Sequence, residues 1–209
     1  MPPNRSMLEQ PALACLGSTA EKDFPLFLVF GREYNNVGQV INTLGKYSFQ
    51  ESPRSTFWNR TYSFIARNCE AAGNFKMRCI AAAASPVLFS NVLPNPIPAR
   101  LSGAEKRKKR MEVPKGKKEG YIDDIFSQPI VDRVRLVVLS GVGDEVVFGC
   151  STSRIRRACE KRDILVEKLP YLGSRCENAV FDEALGKSSR KVICQIVTAF
   201  YDILRGQEA

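Results

Sequence analysis

The 209-residue chain contains no histidine, and this absence removes more chemistry than any other feature of the sequence. A Ser-His-Asp triad, a Cys-His pair, histidine-ligated zinc or haem and imidazole acid–base catalysis are all excluded. Proton transfer is left to a carboxylate, a tyrosine, a lysine or bound water. Long apolar runs are missing too, and none approaches the roughly 20 residues that a membrane-spanning helix needs. The first 23 residues are polar, carry Pro2, Pro3 and Pro11 and have no continuous apolar core, so no secretory signal is expected. Cys-x-x-Cys is absent: the seven cysteines, Cys15, Cys69, Cys79, Cys150, Cys159, Cys176 and Cys194, are odd in number and widely spaced. That pattern reads as reduced thiols in a reducing compartment, with no metal and no cofactor. A cytoplasmic protein is expected, or a nuclear one if the source has a nucleus.

What is present is the composition of one soluble domain, 44% hydrophobic and 25% charged. Lys and Arg number 31 against 22 Asp and Glu, a formal charge of +9, which favours polyanionic partners. The excess is local. Arg100 to Gly120 holds nine Lys/Arg and three Glu, so this stretch supplies +6 of the +9. Its centre, Glu105-Lys-Arg-Lys-Lys-Arg110, shows no apolar periodicity, and Pro114 and Gly116 follow. The reading is a mobile insertion loop over 99–120, serving as a nucleic-acid clamp, a solvated loop or a nuclear-targeting signal. A clamp would bind with steep salt dependence, because each phosphate contact releases counterions.

Residues 1–23 read as a flexible lead and 24–209 as a single domain. Phe24–Phe30 is an apolar run ended by Gly31, a buried strand entering a loop. Phe57 to Ala72 has helical spacing that Gly73-Asn74 would stop. The next strand is Cys79–Ala84 or the adjoining Val87–Leu93, closed by Pro94, Pro96 and Pro98. Tyr121 to about Val134 suggests a helix broken or restarted at Pro129, and Arg135–Gly141 is the clearest strand. Residues 144–161 are helix-like, Ile164–Leu169 is a strand stopped by Pro170, and an amphipathic helix runs from Ala179 or Lys187 to Leu204. Alternating strands and helices predict a three-layer α/β/α sandwich around a mainly parallel four-stranded sheet. Ligands of such sheets bind at the carboxyl ends of the strands, so the loops after Phe30, Leu93, Leu139 and Leu169 are where chemistry belongs.

Three of those loops carry suggestive residues. The first reads Gly31-Arg-Glu-Tyr-Asn-Asn-Val-Gly-Gln39: Gly31 permits close approach of a ligand, and Glu33 is a carboxylate that could polarise water or simply face solvent. Neither Gly-x-Gly-x-x-Gly nor the P-loop spacing is met. The second, Phe89-Ser90-Asn91-Val92-Leu93-Pro94, ends a strand in an Asn whose amide offers a donor and an acceptor to a nucleobase edge, or bonds neighbouring backbone. In Leu169-Pro170-Tyr171-Leu172-Gly173-Ser174-Arg175, Ser174, the amides of the following helix start and Arg175 could hold a phosphate, or Ser174 could be a plain helix cap.

Together these loops resemble the uracil-DNA glycosylase superfamily. There, a strand ending in Gly-Gln-Asp-Pro-Tyr or a variant carries the water-activating residue, and Gly31-Arg32-Glu33-Tyr34, with Gly38-Gln39 beyond it, looks like a divergent copy. The resemblance implies Glu33 as the catalytic carboxylate and Tyr34 and Phe49 as base-binding aromatics. It makes Ser90-Asn91-Val92-Leu93-Pro94 the strand end that reads the base. Pro170 to Arg175 stands where the family has His-Pro-Ser or Asn-Pro-Ser, with Tyr171 in the place of the catalytic electrophile. Ser174 and Arg175 would hold flanking phosphates, and Lys106, Arg107, Lys108, Lys109 and Arg110 would grip the DNA backbone. Two departures stand out: Glu33 is one methylene longer than the family's Asp or Asn, and Tyr171 cannot become cationic. The implied protein is a monomeric, DNA-binding glycosylase-like domain that needs no cofactor. A non-catalytic nucleic-acid or nucleotide binder on the same fold is the alternative.

Overall fold

A computed structural model of the chain describes residues 14–16, 26–32, 64–69, 87–95, 97–98, 100–172 and 178–207. Four strands run parallel: β2 (Leu26–Gly31), β3 (Val87–Asn91), β4 (Val134–Ser140) and β5 (Leu165–Leu169). A short fifth, β1 (Ala14–Leu16), pairs antiparallel with β3 at one edge, giving the order β1-β3-β2-β4-β5. The helices are α1 (Gly103–Met111), α2 (Lys115–Phe126), α3 (Glu145–Glu160), α4 (Asn178–Glu183) and α5 (Lys187–Gln207), with a 3-10 turn at Pro129–Arg133.

The central strands explain the architecture. Phe27, Leu28, Val29 and Phe30 in β2, and Leu136, Val137, Val138 and Leu139 in β4, are all buried. Such continuous apolar runs belong to strands covered on both faces. Because successive side chains point to opposite sides, the runs split into two sets. Leu28, Phe30, Val137 and Leu139 form one core with Ile122, Ile125 and Phe126 of α2 and Phe148 and Ile155 of α3. Phe27, Val29, Leu136 and Val138 form the other with Phe64, Ile65, Phe181 of α4, and Ile193, Ile196 and Val197 of α5. The predicted three-layer α/β/α arrangement is therefore present. A carboxylate on β5 helps seat the last helix, since Glu167 accepts from the Gly186 amide at 3.2 Å and from the Ser189 hydroxyl, placing negative charge at a helix N-terminus.

Several boundaries depart from the sequence reading. Ala14–Leu16, inside the expected flexible lead, adds a strand to the sheet. The stretch expected to be an insertion loop is instead helical, as α1 and the first half of α2, and α2 begins at Lys115 rather than Tyr121. A capping box accounts for α1: the Ser102 amide donates to the Glu105 carboxylate at 2.8 Å while the Glu105 amide donates to Ser102 Oγ at 3.3 Å. No residue of α1 is buried, which is why apolar periodicity gave no sign of it. Charge holds it to the domain, through the Arg107–Asp144 ion pair at 3.0 Å and the Arg110 guanidinium 5.7 Å from the Phe148 ring centroid. The terminal amphipathic stretch is two helices, α4 and α5. Of the helix expected over Phe57 to Ala72, residues 64–67 are described and helical; Cys79–Ala84 lies outside the described residues.

On α3, Cys159 is fully buried against the sheet, and burial pushes its thiol up to about 12 from an ordinary 9.0. A raised value favours the protonated thiol in the folded state. Its contribution is thus fully present below pH 9 and is lost as pH rises from 9 toward 12. Denaturant unfolding of the wild type and Cys159→Ala at a series of alkaline pH values should show the stability difference between them shrinking above pH 9, and a pH-independent difference would refute this.

Candidate functional site

The strand order reverses between β2 and β4: the chain passes from β2 to β3 on one side, then crosses back to β4 on the other. In open α/β sheets this switch point opens a crevice at the carboxyl ends of the strands. Those ends are Gly31, Asn91, Ser140 and Leu169, and side chains from three of the loops converge there.

Gly31 pairs with Asn91 in register. A Cβ on Gly31 would stand 2.7 Å from Asn91 Oδ1, far inside van der Waals contact, so a side chain there would displace the Asn91 amide from this orientation. Asn91 is 2% exposed. Its Nδ2 is shielded from solvent and has no hydrogen-bond partner among the described residues. Such an orphaned donor costs roughly 1–3 kcal/mol unless a partner arrives. The loop beyond is fixed, with the Val92 amide donating to the Gly31 carbonyl at 3.0 Å and Ser151 Oγ of α3 donating to the Val92 carbonyl at 3.0 Å.

On the other side of β2, the Arg32 guanidinium lies 4.3 Å from the centroid of the Tyr171 ring, a close cation–π stack. The tyrosine is held from both sides. The Gly141 amide donates to the Leu169 carbonyl at 2.9 Å, and the Leu172 amide donates to Ser140 Oγ at 2.9 Å. Gly141 has φ +72°, and a Cβ there would meet Tyr171 Cβ at 2.6 Å, so this turn needs glycine both for its backbone and for the space.

The basic helix lies at the same edge. Gly141 leads in three residues to Asp144, the N-cap of α3, which accepts from the Val147 amide at 3.3 Å. Three residues span at most about 11 Å, and Asp144 is the carboxylate that Arg107 of α1 grips. That hydrogen bond holds the Asp144 carboxyl below its ordinary value. Lys118 of α2, also buried, donates to the Val147 carbonyl at 2.9 Å, so the start of α3 is tied to both basic helices. Within α1, Arg107 and Lys109 are engaged with Asp144 and Glu112, while Lys106 and Lys108 have no ion-pair partner among the described residues.

Asn91 and Tyr171 of the expected site thus stand at one sheet edge, linked through Gly31 and Arg32, and Lys106 to Arg110 flank that edge on α1. Glu33, Tyr34, Phe49, Ser174 and Arg175 lie outside the described residues. Arg32, Ser140 and Gly141 were not singled out from the sequence as site residues. The sequence marks Gly141 by its position at the end of the clearest strand, and marks Arg32 only as a member of the Gly31-Arg32-Glu33-Tyr34 stretch. Among the described residues no three His, Cys, Asp or Glu side chains converge as a metal site, and no helix is long and apolar enough to cross a membrane. No protein-family model matches the chain, and no curated protein matches it.

Gly143 provides a control for Gly141, because a Cβ there meets nothing within 4 Å and its φ is not positive. Gly141→Ala should destabilise the fold by about 2–4 kcal/mol, from left-handed backbone plus overlap with Tyr171, while Gly143→Ala stays within about 0.5 kcal/mol. Equal effects in thermal or denaturant unfolding would show that the Gly141–Tyr171 contact is not a constraint.

Proposed function

We propose that this chain is a nucleic-acid-binding α/β domain that admits one base to the crevice at the ends of β2 and β3 and hydrolyses the glycosidic bond of a deaminated base. The observation that carries the reading is Asn91, whose buried amide nitrogen has no hydrogen-bond partner among the described residues. An Asn side chain pairs an acceptor and a donor in one plane, the complement of the N–H and C=O edge of uracil, hypoxanthine or xanthine. Two further features support it. β2, whose end forms one wall of this crevice, also borders the switch point between β2 and β4, where open α/β sheets bind ligands. A helix with five consecutive cationic residues, Lys106 to Arg110, borders the same edge, suited to backbone phosphates that position a strand without reading it.

In this reading the base leaves its stack and enters the crevice, as enzymes acting on bases require. Asn91 holds the base edge. Glu33, following Arg32 in the motif that resembles uracil-DNA glycosylases, orients water and stabilises the developing positive charge on the sugar. A second reading, binding without bond cleavage, is favoured by Tyr171: it stands where that family has His or Asn, and its ring is stacked beneath Arg32.

One experiment separates the two. Labelled oligonucleotides bearing uracil, hypoxanthine or xanthine are incubated with the protein and treated with alkali to cleave abasic sites. Strand breaks that disappear in Glu33→Gln are expected. Tight, salt-sensitive binding without breaks establishes the second reading. Replacing both Lys106 and Lys108 by Ala should reduce the slope of log affinity against log salt by about 2, and an unchanged slope removes α1 from the interface.

A further inference from the structure

We infer that Arg32, stacked on Tyr171, is a phosphate-binding residue of this crevice, so that the ligand held there is a nucleotide and not a bare base or nucleoside. The inference rests on the reading of Asn91 as the base contact and adds a second anchor to it.

Arg32 follows the last residue of β2, the strand at the switch point. With its Cζ 4.3 Å from the centroid of the Tyr171 ring and no acceptor on its nitrogens among the described residues, the guanidinium has N–H donors to offer a ligand. The tyrosine beneath is itself fixed, by Gly141, whose positive φ and missing Cβ make room for it, and by the bonds of Gly141 and Leu172 to Leu169 and Ser140. A planar fork of donors held on a rigid platform suits bidentate recognition of a tetrahedral oxyanion, and little side-chain entropy remains to be lost on binding. Carboxylates would satisfy the same fork, but a cationic helix borders this edge, and the orphaned Asn91 amide lies just beyond Gly31. A base edge on one side of Gly31 and a phosphate on the other together describe a nucleotide. Tyr171 is then a positioning residue that acts through Arg32, rather than a group that touches the reacting atoms.

Binding of 2′-deoxyuridine, its 5′- and 3′-monophosphates and a uracil-bearing oligonucleotide to the full chain tests this, with the inosine series run alongside. One of the monophosphates should bind about ten- to a hundredfold more tightly than the nucleoside, as a charge-assisted bidentate contact gives. Arg32→Gln should erase that ratio while leaving nucleoside affinity within about twofold. Arg32→Lys should retain part of it, Tyr171→Phe should keep the stack and the ratio, and Tyr171→Leu should lose the ratio. Native melting of each variant establishes that it is folded. If mononucleotides show no such ratio but Arg32→Gln weakens the oligonucleotide about tenfold, the phosphate is that of a strand and the inference stands. If neither ratio nor oligonucleotide affinity changes in Arg32→Gln, while Asn91→Ala and the Lys106/Lys108 variant weaken the oligonucleotide, the phosphate assignment is wrong and the nucleic-acid reading survives. No binding of any of these ligands overturns both.

Discussion

The close approach of two strand ends, Gly31 against Asn91, is the constraint on which the site depends. β2 and β3 are in parallel register up to this last pair, and the absence of a side chain on Gly31 lets the Asn91 amide fold over the backbone. An asparagine 2% exposed with a donor left unpaired is costly in the free protein. A group of this kind calls for a specific explanation, and a ligand that pairs it is one. The sheet supplies the stability that tolerates it, because β2 and β4 are covered on both faces by apolar helices and lie at its centre.

The second half of the edge has the same logic in a different form. Gly141 ends β4 in a left-handed turn and leaves room for Tyr171, and Tyr171 carries Arg32. Two glycines, at the ends of the central strands, thus set the backbone on the two sides of Arg32. Asp144, the N-cap of α3, stands three residues after the second glycine and binds Arg107, and Val147 in the first turn binds Lys118, so cationic charge collects at the edge where the strands end. Packing, backbone conformation and electrostatics all meet at the switch point.

Much of this was legible in the sequence. Phe24–Phe30, Arg135–Gly141 and Ile164–Leu169 read as buried strands because strands covered on both faces are apolar throughout, Val87–Leu93 reads as one of two alternatives for the remaining strand, and the parallel sheet follows from the helices between them. The basic segment was misread because apolar periodicity reports burial, and α1 buries nothing. The signal that did mark it was Ser102 with Glu105 three residues on, a capping box at the start of the cationic run. β1 was missed because three residues on a sheet edge carry too little pattern. Asn91 stands out as a candidate by its place at a strand end, and the structure puts it at the end of β3. Arg32 was passed over because its significance lies in a ring 139 positions away, at Tyr171, and that proximity comes from the strand order rather than from any local motif.

The most direct test of the account is the side-chain amide signal of Asn91 in ¹⁵N-resolved NMR during titration with a uracil-bearing oligonucleotide. The account predicts that this signal shifts, together with the backbone amides of Gly31 and Arg32. Shifts confined to α1, with Asn91, Gly31 and Arg32 unmoved at saturation, would contradict it: the protein would then hold nucleic acid by charge alone, with no base in the crevice.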